Sequence, residues 1–439
     1  MTPRHVNLIR TALLALLTMV ALAAPAFAQG LPNAARPEDV GFSSERLRRL
    51  TVAFQSEVEN SKIPGAVILI AREGKVAYFE AIGFQDREKR LAMRRDAIFR
   101  IASMTKPIVS VAIMMLVEEG KIQLQDPVSV YLPELKHLKV GVERKTEGSD
   151  KPELALETPR REMTIHDLLR HTSGLTYGIF GDSLVKRAYR DANVPDPTEP
   201  LAEMVTRLSK LPLAFQPGTT FEYSVSTDVL GRVVEVVSGM DLDRFIAERI
   251  AKPLRMVDTG FFVNDAQAAR LAEPQIDAAS GKRPPMRDVT KRPTFLSGGG
   301  GLVSTAADYT RFSHLLLNGG QLDGVRLLSP KTVAFMTADH LPPGTVMSPT
   351  TETVGFGALR PSTEQGQGFG LGFAVRTAAG RNPLPGSPGE FYWVGAFGTT
   401  FWVDPSEKLV TVMMVQIPLG QGRHYRSMLR NLVYQAVVR

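Results

Sequence analysis

Arg100-Ile101-Ala102-Ser103-Met104-Thr105-Lys106-Pro107, followed by Ile108-Val109-Ser110-Val111-Ala112-Ile113-Met114-Met115-Leu116-Val117, is the stretch around which the chain is organised. Its second half is apolar almost all round, so it reads as a helix buried on every side. Pro107 suits the first turn of such a helix and would cost stability deeper in it. A helix that begins at or just before Ser103 puts Ser103 and Lys106 on one face, within reach of each other. A hydroxyl at the head of a buried helix, one turn from an amine, has the make-up of a nucleophile with its base. The partly positive helix N-terminus favours the alkoxide character that attack requires. The competing reading is a serine N-cap and a solvated lysine. Ser-x-x-Lys recurs at Ser183-Leu184-Val185-Lys186, so the pair alone decides nothing.

Outward from this helix, the pattern is that of an α+β fold. Ser43 opens an amphipathic helix running to about Asn60, with Leu47, Leu50, Phe54 and Val58 at helical spacing. Residues 65–71 read as a buried strand, which turns at Arg72-Glu73-Gly74-Lys75 into a second strand over 76–82. Between about 121 and 295 strand signals are few, and helices are expected over 165–169, 200–211, 227–237 and 241–250. Strands return over 369–376, 399–403 and 409–416, the last two joined by Asp404-Pro405-Ser406-Glu407. A final amphipathic helix spans about 422–438, with Met428, Leu429, Leu432, Val433 and Ala436 on one side. Strands from both ends are therefore expected to form one antiparallel sheet flanked by helices, with a mostly helical domain inserted between them. The corresponding division is an α/β part over about 40–120 and 300–439 and a helical insert over about 121–299.

With 439 residues, 44% of them hydrophobic, the chain can bury a large core. Residues 1–28 have the form of a secretory leader. Arg4 and Arg10 precede an apolar centre, and Ala26-Phe27-Ala28 is a small-x-small cleavage site, with removal expected after Ala28. The apolar run is too short to span a bilayer, so no membrane anchor is expected after cleavage. The chain has no cysteine, which excludes disulfides, a thiol nucleophile and a lipid anchor on cysteine. Together these point to the bacterial periplasm or exterior. The formal charge of +7 is spread among acidic residues with no basic stripe interleaved with aromatics, so nucleic acid is not an expected partner.

Two further stretches could serve a serine–lysine pair. Phe221-Glu222-Tyr223-Ser224-Val225-Ser226 offers Tyr223 at a loop-to-helix junction as a second proton carrier, though a half-buried core tyrosine is the commoner fate. Tyr392-Trp393-Val394-Gly395-Ala396-Phe397-Gly398 carries glycines that would let a substrate lie against a strand edge with a backbone N–H aimed at its carbonyl oxygen. The alternative there is a bulge leading into the last hairpin.

Taken in order, Ser103-Met104-Thr105-Lys106, Tyr223-Ser224-Val225 and Trp393-Val394-Gly395-Ala396 resemble the three motifs of the serine β-lactamase and penicillin-binding-protein superfamily. The likeness is to the class C β-lactamase-like branch, which includes D,D-peptidases, family VIII carboxylesterases and amide hydrolases. Supporting phrases are Leu168-Leu169-Arg170-His171-Thr172-Ser173-Gly174-Leu175, Pro217-Gly218-Thr219, and Ser297 through four glycines to Leu302-Val303-Ser304-Thr305. The resemblance implies an acyl-enzyme on Ser103, with Lys106 and Tyr223 sharing the acid and base work. It implies an oxyanion hole from the backbone N–H groups of Ser103 and Ala396, a substrate-binding role for Val225, Trp393 and Gly395, and no metal or organic cofactor.

The departures matter equally. The family's β-lactamases have Tyr-x-Asn where this chain has Val225, and Lys-Thr-Gly where it has Trp393. Both changes remove polar grip on an anionic amide and add apolar surface, which favours small ester substrates. The alternatives are an amidase, D,D-peptidase or weak β-lactamase, and, in another class, a non-catalytic protein that binds cell-wall peptide. Gly181-Asp182-Ser183-Leu184 imitates a different esterase motif but lies mid-chain with no later Asp-x-x-His. There is no Gly-x-Ser-x-Gly and no His-Glu-x-x-His, and His171 is expected to close a turn. Gly298 to Gly301 lack the Lys-Ser/Thr of a phosphate loop, which leaves close backbone packing as their reading. Oligomeric state is not legible in the sequence.

Overall fold

The strand Gly65–Arg72 (β1) is buried at all eight positions, which is why it reads as an unbroken apolar run instead of an alternating one. In the computed structural model, which describes residues 30–145, 151–277, 280–349 and 356–439, β1 lies inside an eight-stranded antiparallel sheet. The expected leader over 1–28 lies outside the described residues. One neighbour of β1 is Lys75–Asp86 (β2), which pairs in turn with Leu91–Ala92 (β3). The other four-plus-one strands come from the far end of the sequence: Gln367–Phe369 (β4), Ala374–Arg376 (β5), Phe391–Val394 (β6), Thr400–Asp404 (β7) and Leu409–Val415 (β8). The order across the sheet is β4-β5-β6-β7-β8-β1-β2-β3, with Ala66 opposite Val415 and Arg72 opposite Leu409.

Helices cover both faces. Five of them matter here: Ser44–Glu59 (α1), Thr105–Glu118 (α2), Ser226–Ser238 (α3), Ala306–Leu317 (α4) and Gly422–Tyr434 (α5). Adjacent residues of a strand point to opposite faces, and β7 makes this visible. Phe401 meets Tyr309 of α4 at 4.9 Å between ring centroids, while Trp402 stacks on Tyr434 of α5 at 6.2 Å. So α4 and α5 lie on opposite sides. On the α5 side, α1 buries Leu47, Leu50, Phe54 and Val58, the four residues its spacing singles out. Its N-cap is Ser43, whose Oγ accepts from the Arg46 N–H. The Arg72 guanidinium, reaching Glu407 and the Val40 and Arg439 carbonyls, ties the two ends of the sequence together.

Three local expectations change. Residues 369–376 form a tight hairpin, β4 to β5, and not one strand. Gly372 adopts φ 95°, and the Gly370 N–H donates back to Phe373 O at 2.7 Å. Within 121–295 there is a hairpin, Val140–Lys145 with Pro152–Glu157, whose half-exposed faces carry so many charges that the apolar period is faint. The helix expected over 241–250 is a short α-helix, Leu242–Ile246, continued by one wide turn, Ala247–Ala251.

Candidate active site

Ser103 sits in a single 3-10 turn, Ala102–Met104, and α2 begins two residues later at Thr105. The serine thus precedes the helix proper, close to the expected placement. Ala102 takes φ 44°, left-handed for a residue with a Cβ, so the strand-to-helix entry is a sharp, strained turn that projects Ser103. Twelve consecutive residues of α2, Thr105 to Leu116, are buried, mainly against α3. That burial fixes the turn before them.

Lys106 is 2% exposed and cannot be the solvated lysine of the competing reading. Its Nζ lies 3.4 Å from Ser103 Oγ, 3.2 Å from Tyr177 Oη and 2.7 Å from Gly299 O. It also stands 4.5 Å from the centroid of the Tyr223 ring. Tyr223 is buried, lines the same cleft as Ser103, and its hydroxyl has no hydrogen-bond partner among the described residues. The structure therefore brings Ser103, Lys106 and Tyr223 together.

The layer beneath these groups is polar but neutral or compensated. His171, at φ 56°, closes the turn after the helix Ile165–Leu169 and packs its ring 5.0 Å from Tyr223. Burial, with a smaller push from Lys106, holds its pKa well below the usual 6.5, so it is a neutral support. Its Nδ1 is 3.3 Å from Ser224 Oγ. Asp228, in the first turn of α3, accepts from Ser297 Oγ at 2.6 Å and from the Gly299 N–H at 2.9 Å. Burial raises its pKa, an effect that Lys106 opposes. Asp228 thereby holds the glycine whose carbonyl holds Lys106. The four-glycine run is tightly packed. A Cβ on Gly298, Gly299 or Gly301 would come within 2.4–2.6 Å of neighbouring atoms, whereas one on Gly300 would meet nothing closer than 3.8 Å.

Opposite Ser103 stands the turn after β6. Gly395 donates to Thr399 O at 2.8 Å, and a Cβ there would lie 2.4 Å from Ile101 O, so strand end and serine turn touch backbone to backbone. Thr399 Oγ1 also donates to Ile101 O. β6 pairs with β5 only at Phe391 and Tyr392, which leaves Trp393 and Val394 unpaired on the side of the cleft. The cleft, a cavity of about 40 Å³, is bounded by Ser103, Tyr223, Gly395 and Ala396, with Phe180, Phe356, Val394 and Leu419 as apolar walls and Arg426 from α5. Val225 and Trp393, expected at the substrate, are buried and are not among the residues bounding the cleft. Val225 caps α3, and Trp393 packs against Tyr223, Phe356 and Phe369. Trp393 thereby backs the tyrosine.

Tyr177, Asp228, Phe180, Phe356 and Arg426 were not singled out by the sequence. Tyr177 lies two residues beyond the recognised Leu168–Leu175 phrase, which is the one signal that could have found it. The second Ser-x-x-Lys is structural: Ser183 Oγ caps the helix Leu184–Asp191, and Lys186 pairs with Glu222 at 3.0 Å. Among the described residues no group of three or more His, Asp or Glu side chains is placed to hold a metal ion.

Comparison with known proteins gives the family. The beta-lactamase family profile matches residues 50–435. The chain belongs to the beta-lactamase family. Protein Rv1367c of Mycobacterium tuberculosis is 39% identical over 363 residues, covering 81% of this chain and 86% of that one. Esterase EstB of Burkholderia gladioli is 30% identical over 414 residues, covering 88% of this chain and 94% of that one. Among solved structures, EstCE1, described as a hydrolase with promiscuous acyltransferase activity, superposes with a TM-score of 0.73 at 27% identity over 91% of this chain and 99% of its own. As a beta-lactamase family member with esterase relatives, the chain is a serine hydrolase by descent.

Proposed function

We propose that this protein is an exported serine hydrolase that cleaves small, apolar esters through an acyl-enzyme on Ser103. The observation that carries the reading is the placement of Lys106 Nζ against Ser103 Oγ while the unpartnered Tyr223 hydroxyl lines the same cleft. Ser103 Oγ attacks the ester carbonyl carbon, and its proton passes to the Lys106–Tyr223 pair. The carbonyl oxygen, now negative, is met by the N–H groups of Ser103 and Ala396. Collapse expels the alcohol, which takes the proton from the same pair. Water then repeats the sequence on the acyl-enzyme and releases the acid. The ester preference is supported by the cleft's aromatic and aliphatic walls. Export is supported by the leader-like residues 1–28 and the absence of cysteine.

The test is intact-mass analysis of the purified protein after incubation with p-nitrophenyl butyrate and, separately, with a penicillin. Rapid ester turnover without a lasting penicillin adduct is the expected outcome, and Ser103→Ala should abolish both turnover and acylation. A stable penicilloyl adduct on Ser103 with slow ester cleavage would place the chain among the peptidases instead.

A further inference from the structure

Arg426 enters the cleft from α5 and is only 5% exposed. Its Nη2 donates to Gly395 O at 2.5 Å. That carbonyl and the N–H of Ala396 are the two ends of one peptide unit. In a planar trans peptide the two bonds point in opposite directions, so whatever holds the oxygen also aims the N–H. The same oxygen accepts from the Gly398 N–H at 3.1 Å, and the Gly395 N–H is taken by Thr399 O. The turn thus engages both polar groups of Gly395, and Ala396, the next residue, lines the cleft with Ser103.

A cation hydrogen-bonded to an amide oxygen does more than hold it. It draws electron density from the amide nitrogen and makes the N–H at the other end a stronger donor. Burial, with Arg423 adding repulsion, pushes the Arg426 pKa down to about 10, which leaves the guanidinium charged at neutral pH.

We propose that Arg426 is a positioning residue of the oxyanion site, orienting and polarising the Gly395–Ala396 peptide so that the Ala396 N–H meets the carbonyl oxygen as it becomes negative. The inference rests on the reading of Ser103 and the Ala396 N–H given under Proposed function. It assigns to Arg426 no contact with substrate.

The experiment compares wild type, Arg426→Lys and Arg426→Met on uncharged p-nitrophenyl esters, together with the rate at which a p-nitrophenyl phosphonate labels Ser103, followed by intact mass. Since donors of this kind act in the transition state, kcat should fall roughly ten- to a hundredfold in Arg426→Met with KM changed less than threefold. Phosphonate labelling should slow in parallel, and Arg426→Lys should recover most of both. Unchanged kcat and labelling would overturn the proposal. So would a rise in KM at constant kcat, which would make Arg426 a direct substrate contact. If Arg426→Met does not fold, the lysine variant still decides: full activity with a charge that reaches Gly395 O supports the proposal, and collapse of kcat despite a native melting temperature refutes it. A wild type that cleaves no ester but is labelled at Ser103 would refute the ester reading alone, because the labelling ratio still reports on Arg426. A wild type inert to both reagents would refute the two together.

Discussion

Gly395→Ala tests the contact on which the cleft is built. A Cβ at this position would lie 2.0 Å from Thr399 Oγ1 and 2.4 Å from Ile101 O. The threonine side chain could turn away, but the Ile101 oxygen is backbone, two residues before Ser103. Restoring an ordinary contact of 3.4 Å requires the end of β6 and the serine turn to part by about 1 Å. That separation falls directly between the Ala396 N–H and Ser103. A misplacement of about 1 Å in a reacting constellation costs on the order of a hundredfold in rate, or roughly 2.7 kcal/mol of transition-state stabilisation. Overpacking of this kind costs about 1–3 kcal/mol of stability in addition. Steady-state kinetics on p-nitrophenyl butyrate, with thermal unfolding in parallel, should show kcat lower by about two orders of magnitude and a melting temperature lower by a few degrees. The double variant Gly395→Ala with Thr399→Ala removes only the nearer clash and should not recover. A single variant retaining kcat within threefold, or recovery in the double variant, would show that the Ile101 contact does not set the geometry of the cleft.

Two other outcomes follow from the packing and the buried charges. Gly300→Ala should leave activity and stability nearly unchanged, whereas Gly299→Ala, whose Cβ would lie 2.5 Å from Asp228 Oδ2 and 2.9 Å from Tyr177 Oη, should displace the carbonyl that holds Lys106 and lower kcat at least tenfold; equal effects of the two would refute the packing argument. Stability should fall as pH drops from about 6.5 toward 4. His171, His166, His314 and His340 all have pKa values lowered chiefly by burial, to about 4 for His166 and His314. The unfolded chain therefore binds protons over this interval that the folded chain refuses, at about 1.4 kcal/mol per pH unit for each net proton. Asp308, raised to about 7 by burial, works in the opposite direction, as do Asp228 and Glu235, also raised by burial, and these offset part of the histidine effect. Melting temperatures that stay level or rise between pH 7 and 5 would contradict this balance.

The sheet and the serine helix were legible because burial on both faces leaves a signature in consecutive residues, as in β1, β8 and α2. The joining of distant strands followed from there being few other partners for β1. What escaped were features set by one or two residues or by long-range meetings. Gly370 and Gly372 split a strand that hydrophobicity alone would have left whole. The paired strands over 140–145 and 152–157 hid beneath their charges. Ser103, Lys106 and Tyr223 could be named from their motifs, but Tyr177, which meets Lys106, had only a neighbouring phrase to mark it, and Arg426 reaches the cleft from a segment with no local sign of chemistry. Arg426 belongs to a helix whose sequence advertises only its apolar side. Val225 and Trp393 illustrate the converse: a motif position gives neighbourhood, and which side of a wall a side chain occupies is decided by packing.

The pairing of β1 with β8 carries a consequence for how the molecule is assembled. β1 finds its neighbour some 350 residues later, with Ala66 opposite Val415. Contacts of such long sequence separation form late and slowly, after the entropy of closing a large loop has been met. Until residues 391–415 have been synthesised, a growing chain holds Ser103 and Lys106 but has neither the centre of its sheet nor the second N–H of its cleft. On the proposed mechanism, a half-made molecule therefore carries Ser103 unarmed, and the capacity to acylate arises only when the sheet closes.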